Sequence, residues 1–324
     1  MKEIVALQKE LAKVISKTTY GKQPQSLYTP IHYLMELGGK RVRPMLTLLA
    51  YSLYKKDVKS ITKYAIAVEA FHNFSLMHDD IMDNAPLRRG KPTVHEKWNV
   101  NTAILSGDVM LVKVYEIFQT LPADILKEVL IAFNKTAAGV CEGQQWDMEF
   151  ETEKHVSEKQ YLHMIEQKTA VLLGFSLELG GILAGAPKKE CKALYEFGTN
   201  IGIGFQLMDD LLDAYGDPKK FGKQIGGDII ANKKTFLLIN ALAHATPRQK
   251  RLLKQWLSAT KFNKKEKVEA VKHLYDEIDV ASLTEKKVNY YFSKGFKQLG
   301  KLNVDPKQKE ILHYYASQLI ERQS

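Results

Sequence analysis

Two acidic clusters with the same spacing, Asp79-Asp80-Ile81-Met82-Asp83 and Asp209-Asp210-Leu211-Leu212-Asp213, are the residues here best suited to chemistry. On a helix the first and last Asp of each cluster share a face, about 6 Å apart along the axis. Carboxylates gathered in this way repel one another unless a cation holds them. An all-oxygen donor set suits Mg2+, which keeps some waters and shares its remaining positions with phosphate oxygens. A lone DDxxD is more often a solvated acidic face. Here both clusters adjoin apolar sequence, Phe71 to Met77 with only His78 intervening, and Ile201 to Met208. Charged residues are seldom buried without partners, so the pair reads as a diphosphate trap.

Basic, glycine-flanked groups point to the same ligand. Pro86-Leu87-Arg88-Arg89-Gly90-Lys91-Pro92 follows the first cluster. Phe221-Gly222-Lys223-Gln224-Ile225-Gly226-Gly227-Asp228 and then Lys233-Lys234-Thr235 follow the second. Gly38-Gly39-Lys40-Arg41-Val42-Arg43-Pro44 precedes both. Arginine offers a planar fork to phosphate oxygens and lysine a mobile point charge. Glycine lets backbone approach a ligand closely.

These elements, in this order from about residue 38 to 235, resemble the all-trans isoprenyl diphosphate synthases, most closely the short-chain geranylgeranyl and farnesyl types. Gly38 to Pro44 looks like their isopentenyl-diphosphate loop, and Asp79-Asp80-x-x-Asp83 with Arg88-Arg89-Gly90 like their first aspartate-rich motif. Lys168-Thr169 resembles the Lys-Thr element. Gly204-Phe205-Gln206-Leu207-x-Asp209-Asp210-x-x-Asp213 resembles the second aspartate-rich motif, and Gly222-Lys223 through Asp228 to Lys233 the closing basic segment. The resemblance implies a Mg2+-dependent prenyltransferase that condenses isopentenyl diphosphate head-to-tail with an allylic diphosphate. It implies three Mg2+ ions held by Asp79, Asp83 and Asp209, with Asp80, Asp210 and Asp213 as ligands or supports. Arg88, Lys168, Lys223 and Lys233 then clamp the allylic diphosphate, with Thr169 and Gln206 beside the allylic cation. Lys40, Arg43, His72 and Arg89 hold isopentenyl diphosphate. His78, His95 and Trp98 receive structural roles, and Gln144, Gln145 and Asp147 receive no chemistry.

Product length is expected to depend on the segment before Asp79. Ser75 lies one helical turn before Asp79, and Phe71 another turn back, about 12 Å from it. Phe74 stands five residues before Asp79, where the family often places a floor-forming aromatic. An aromatic there with a small residue after it resembles the archaeal-like geranylgeranyl synthases, and geranylgeranyl diphosphate is the expected product. A farnesyl synthase is the alternative. A class I terpene cyclase or a non-catalytic synthase subunit is a weaker reading.

The elements that must carry these groups read as helices. Ile4-Val5-Leu7-Leu11-Val14-Ile15 and Leu105-Val109-Val112-Tyr115-Ile117 have amphipathic spacing, and most prolines fall between such segments. Alternating strand patterns are missing. The expected fold is all-α, a single large helical bundle of the isoprenoid synthase type with a central cavity, forming one domain over residues 1–324. No linker-like composition or fixed-period repeat interrupts the chain.

Composition excludes other classes. The 47 basic and 37 acidic residues give a formal charge of +10. Runs such as Lys264-Lys265-Glu266-Lys267 are broken by acids and lack any nucleic-acid motif, so a solvated helical surface is expected. Such a surface also attracts diphosphates. Val171 to Ala186 contains Glu178 and is too short for a membrane span. Cys141 and Cys191 suit small buried roles. Lys2, Glu3, Lys9 and Glu10 break any signal-like apolar core. A cytoplasmic homodimer, with no nucleic acid and no stable membrane insertion, is the expectation.

Overall fold

The computed structural model describes residues 2–216 and 225–321, and the description below is of those residues. They are overwhelmingly helical, and their one paired extended segment is a two-residue-per-strand ribbon, β1 (Leu87–Arg88) against β2 (Lys91–Pro92). The chain forms two compact units. The first comprises Met1–Ala137, Leu172–Tyr195 and Lys301–Leu312, and the second Ala138–Val171, Glu196–Gly300 and His313–Ser324.

In the first unit, α1 (Lys2–Lys17), α2 (Gln25–Glu36) and α3 (Val42–Ser52) lead to α4 (Thr62–Met82), which carries the first acidic cluster. Ala65, Val68, Ala70, Phe71 and Met77 bury most of the α4 circumference, so the helix runs inside the unit rather than along its surface. The helices α5 (Val94–Lys97) and α6 (Val100–Phe118) follow, and α6 packs along α4 and α2. Asn99 starts α6 by accepting from the Thr102 amide at 2.8 Å. Pro44 lies inside α3 rather than between helices; in the first turn its missing N–H costs no intrahelical bond.

The face of α6 that meets the core is Ala103, Ser106, Gly107, Met110, Val114 and Phe118. The stripe expected from sequence faces the other way: Leu105, Val112 and Tyr115 are exposed, together with Val100 and Ile104. The helix is apolar on two sides, so periodicity alone picked the wrong one.

α7 (Ala123–Thr152) begins in the first unit and ends in the second, which continues with α8 (Glu158–Ile165) and a wide π-turn at Glu166–Ala170. Ser157 and Gln160 form a reciprocal cap at the start of α8. Then come α9 (Val171–Ala184), α10 (Lys188–Tyr215), the short α11 (Gly227–Ile230), α12 (Phe236–His244), α13 (Pro247–Ser258), α14 (Lys264–Ile278), α15 (Val280–Gly300) and α16 (Pro306–Glu321). Within the second unit α12 packs on α8, α14 and α15, while α11 rests on α14. Leu211, Leu237, Leu253, Val271, Leu274 and Val280 form the core beneath α11.

Two sequence expectations are corrected. Cys191 is buried but Cys141 is exposed, because the latter falls on an open face of α7. Lys267, read as part of a solvated basic run, is fully buried. No helix of the described residues is long and apolar enough to cross a membrane.

Candidate functional site

The first unit gathers an acidic group and a basic group around the C-terminal end of α4. Asp79 and Asp80 lie in its last turn, and Asp83 caps it, donating its amide to the Asp79 carbonyl at 2.8 Å. Asp79 is half-buried and Asp83 exposed, whereas Asp80 is 2% exposed. Asp80 is held by Arg88, which donates Nε to Oδ2 at 2.8 Å and Nη2 to Oδ1 at 2.6 Å.

The hairpin presents Arg88 because its two-residue turn, Arg89-Gly90, has positive φ at both positions (53° and 74°), as the right-handed twist of paired strands requires. Arg89 donates Nη1 to the Gly38 carbonyl. A Cβ at Gly39 would meet the Arg89 guanidinium at 2.9 Å, so glycine there is what lets the loop and the arginine close on each other.

Arg41, in a left-handed conformation at φ 47°, turns that loop into α3. Its Nη1 donates to Glu69 Oε1 at 2.6 Å and its Nη2 to the Met35 carbonyl. Glu69 is itself buried and accepts from Asn73 Nδ2 at 3.2 Å. Lys40 is left exposed. Arg43 Nη1 lies 3.1 Å from His72 Nε2. Burial, then the charges of Arg43, Arg89, Arg88 and Arg41, hold the imidazole well below its usual pKa, so His72 is neutral and accepts from Arg43. Burial also lowers the Arg43 guanidinium to about 10, with Glu69 opposing and Arg89 reinforcing, and it stays charged at neutral pH. The result is a cationic group whose fixed counter-charges, Glu69 and Asp80, face inward: an anion site.

Phe71 and Phe74 precede this site on α4. Phe71 is 1% exposed, with ring centroids 5.6 Å from Phe74 and 5.1 Å from Phe133. Phe74 packs on His78 at 4.8 Å, and the His78 ring lies against Gly107 and the Ile104 carbonyl. Ser75 is half-buried and donates its hydroxyl to the His72 carbonyl at 2.9 Å.

The second unit builds a different arrangement. Lys168 and Thr169 ride on the π-turn. A Cβ on Gly143 of α7 would come within 2.1 Å of the Lys168 backbone nitrogen, and one on Gly202 of α10 within 2.7 Å of Ala170 Cα. The turn is therefore gripped between two helices at glycines, and no hydrophobic period in the sequence records it. Lys168 donates to Asp147 Oδ2 at 2.5 Å, and Lys233 Nζ stands 3.7 Å from the same oxygen. Burial pushes the Asp147 carboxyl up, but Lys233 and Lys168 outweigh it and hold the group below its usual range. Asp147, to which the sequence reading gave no chemistry, is thus brought between Lys168 and Lys233.

On α10, Asp209 and Asp213 are half-buried, while Asp210 is 6% exposed and turned inward. Tyr161 donates its hydroxyl to Asp210 Oδ2, the Phe236 amide approaches the same oxygen at 3.4 Å, and Gln206 Nε2 donates to Oδ1 at 3.4 Å. Burial, with Asp228 adding, raises Asp210 to about 7. Thr169 Oγ1 donates to Gln206 Oε1 at 3.4 Å. Asp228, on α11, donates its amide to Asp213 Oδ2 at 2.9 Å. Burial raises the Asp228 carboxyl to about 6; Lys233 opposes this and Asp213, Asp209 and Asp147 add to it. Gln144, also left out by the sequence reading, has both side-chain amide atoms buried without a protein partner. Lys223 lies outside the described residues.

In both units the middle Asp accepts from a protein side chain, Arg88 for Asp80 and Tyr161 for Asp210. Among the described residues no three acidic, His or Cys groups converge tightly enough to enclose a metal by themselves. The donor set fits Mg2+ shared with phosphate oxygens, and the mutual repulsion of Asp209, Asp213 and Asp228 is what a divalent cation relieves.

A model of the polyprenyl synthetase family matches residues 24–278. The geranylgeranyl diphosphate synthase of Methanosarcina mazei is 43% identical over 222 residues, 68% of each chain. The short chain isoprenyl diphosphate synthase of Methanocaldococcus jannaschii is 41% identical over 264 residues, 81% of this chain and 80% of that one. The crystal structure of a geranylgeranyl pyrophosphate synthase superposes with a TM-score of 0.94 at 43% identity, covering 99% of both chains.

Proposed function

We propose that this chain, which belongs to the polyprenyl synthetase family, is a prenyltransferase that joins isopentenyl diphosphate head-to-tail to an allylic diphosphate, with geranylgeranyl diphosphate as its main product. What supports the reading is the cationic group of Arg43 beside His72 and Arg89 on the Gly38 carbonyl, in the same unit as Asp79, Asp83 and Arg88, to which we add the exposed Lys40. An enzyme that only ionises an allylic diphosphate has no use for that second cationic site, which argues against a terpene cyclase. Every motif acid is retained, which argues against a non-catalytic subunit.

Mg2+ would be held by Asp79 and Asp83 in the first unit and by Asp209, with Asp213 and Asp228 as further oxygen donors, in the second, and would supply positive charge to a departing diphosphate. Asp80 and Asp210 serve as supports, since Arg88 and Tyr161 already occupy them. Lys168 and Lys233 bind the allylic diphosphate. As its carbon–oxygen bond breaks, the electron pair leaves with the diphosphate, and fixed lysines favour that charge more than they favour the ground state. Thr169 and Gln206 direct oxygen atoms toward the positive carbon. Arg43, Arg89 and Lys40 hold isopentenyl diphosphate, and His72, kept neutral, orients Arg43. The double bond attacks the allylic carbon, and the proton lost from the adduct passes to the released diphosphate.

Phe74 at the fifth position before Asp79, with Ser75 small, supports a twenty-carbon product. A farnesyl synthase is the alternative. We propose the whole chain as one isoprenoid synthase domain, acting in the cytoplasm as a homodimer. The exposed apolar stripe of Val100, Ile104, Leu105 and Val112 on α6 is the surface that supports pairing. The test is diphosphate release by the purified chain with and without isopentenyl diphosphate, followed by chromatography of the dephosphorylated products. Release that ignores isopentenyl diphosphate points to a cyclase, and no release under either condition to a non-catalytic chain.

A further inference from the structure

Lys267 is the one residue of the basic run at the start of α14 whose side chain vanishes into the protein; its neighbours Lys264, Lys265 and Glu266 are exposed. Among the described residues no carboxylate pairs with it. Its ammonium instead donates to Asn232 Oδ1 at 2.6 Å and to the Ile230 carbonyl at 3.2 Å, and lies 4.1 Å from the centre of the Phe262 ring. Burying a charge against neutral oxygens is costly. A surface lysine that only aided solubility has no reason to bear that cost.

The groups it grips are informative. Ile230 is the last residue of α11, and Asn232 follows two residues later with φ at 56°. Asn232 also donates its Nδ2 to the Leu257 carbonyl at 3.1 Å. One amide side chain thus ties the turn both to Lys267 and to the end of α13. The next residue is Lys233, whose amide returns to the Asp228 carbonyl at 2.9 Å. At the other end of α11, the Gly226 amide donates to the Asp213 carbonyl at 2.6 Å and the Asp228 amide to the Asp213 side chain. α11 is a single turn and cannot hold its own geometry. Its entry is fixed by Asp213 and its exit by Lys267 with Asn232.

We propose that Lys267 is a positioning residue for the diphosphate site: through Asn232 and the Ile230 carbonyl it fixes the turn that places Lys233 beside Asp147 and Lys168. This rests on the reading of Lys233 as a ligand of the allylic diphosphate. Lysine suits the task because a long stem can cross the core while its head makes several donations to oxygens around a tight turn.

The test uses the full-length protein and a double-mutant cycle. Lys267→Met keeps the stem and removes the charge; Asn232→Ala breaks the same link from the solvent-accessible side. Circular dichroism and melting first establish that each is folded at the assay temperature. Turnover and the two KM values are then compared with those of the parent, of Lys233→Ala and of Lys267→Met/Lys233→Ala. A misplaced lysine should cost on the order of ten- to a hundredfold in kcat/KM for the allylic substrate, with the KM for isopentenyl diphosphate unchanged. The double variant should be no worse than Lys233→Ala alone. A merely structural role predicts that both KM values shift together, or that the two losses multiply, and either result overturns the proposal. Parent-like constants in folded Lys267→Met overturn it as well. If Lys267→Met does not fold, Asn232→Ala faces the same criteria. A parent chain with no isopentenyl-dependent transfer rejects the functional reading instead. The positioning role is then judged by calorimetric titration with inorganic diphosphate and Mg2+, where equal affinity in parent and Asn232→Ala rejects it.

Discussion

Arg88 grips Asp80 through two nitrogens and so ties the middle acid of the first cluster to the hairpin. Tyr161 does the same for Asp210 in the second. The outer acids of each cluster are therefore expected to respond to mutation differently from the middle ones. Asp79→Ala or Asp209→Ala should lose a hundredfold or more in turnover, since charge stabilisation at the leaving diphosphate is removed, while melting stays near the parent. Asp80→Ala leaves Arg88 without its partner and should cost roughly 3 kcal/mol of stability. Melting curves beside turnover at saturating Mg2+ check this, and equal melting losses at Asp79 and Asp80 would refute the division.

The two cationic groups should separate kinetically. Lys40→Ala and Arg43→Ala are expected to raise the KM for isopentenyl diphosphate more than that for the allylic partner, and Lys233→Ala the reverse. Each lost charge-assisted contact is worth about 1.5–3 kcal/mol, a tenfold or larger change. Initial rates with each substrate varied in turn decide it; identical shifts in both constants would place the three residues in one shared site.

Chain length should respond to α4. Ser75→Phe is expected to shorten products toward fifteen carbons, because a ring one turn before Asp79 meets the tail early. Phe74→Ala should admit longer ones. Phe71 is locked between Phe74 and Phe133, so Phe71→Ala should lengthen products while also costing roughly 3–5 kcal/mol of stability. Chromatography of dephosphorylated products, run beside thermal melts, reads both effects. An unchanged spectrum in all three moves length control elsewhere.

Glu178 on α9 gives a pH test remote from the chemistry. Burial, with Glu128 adding and Lys135 opposing, raises its carboxyl from 4.5 to about 7. Between those values the folded chain keeps a proton that the unfolded chain releases. Its contribution to stability is therefore fully present below pH 4.5 and lost as pH rises through 7. Glu178→Gln should remove that slope, so its melting temperature should gain on the parent at pH 8 and lose the advantage at pH 5. Parallel melting profiles across this range would count against the shift.

The sequence by itself determined the helical class and the identity of the charged groups, because both are local: a 3.6-residue period marks a helix, and a four-residue spacing puts Asp79 with Asp83 and Asp209 with Asp213 on one face. Lys168, Thr169 and Gln206 were legible only as parts of a motif. Tertiary structure decided which member of each acidic cluster turns inward, since that depends on how the hairpin folds Arg88 back onto α4 and on where Tyr161 arrives, 49 residues from Asp210. It also decided which apolar face of α6 meets the core, and it brought Asp147 to Lys168 and Lys233. Lys267 shows the reason most directly. Its burial follows from a contact with Asn232, 35 residues away, and neither composition nor periodicity carries a record of partners so distant in the chain.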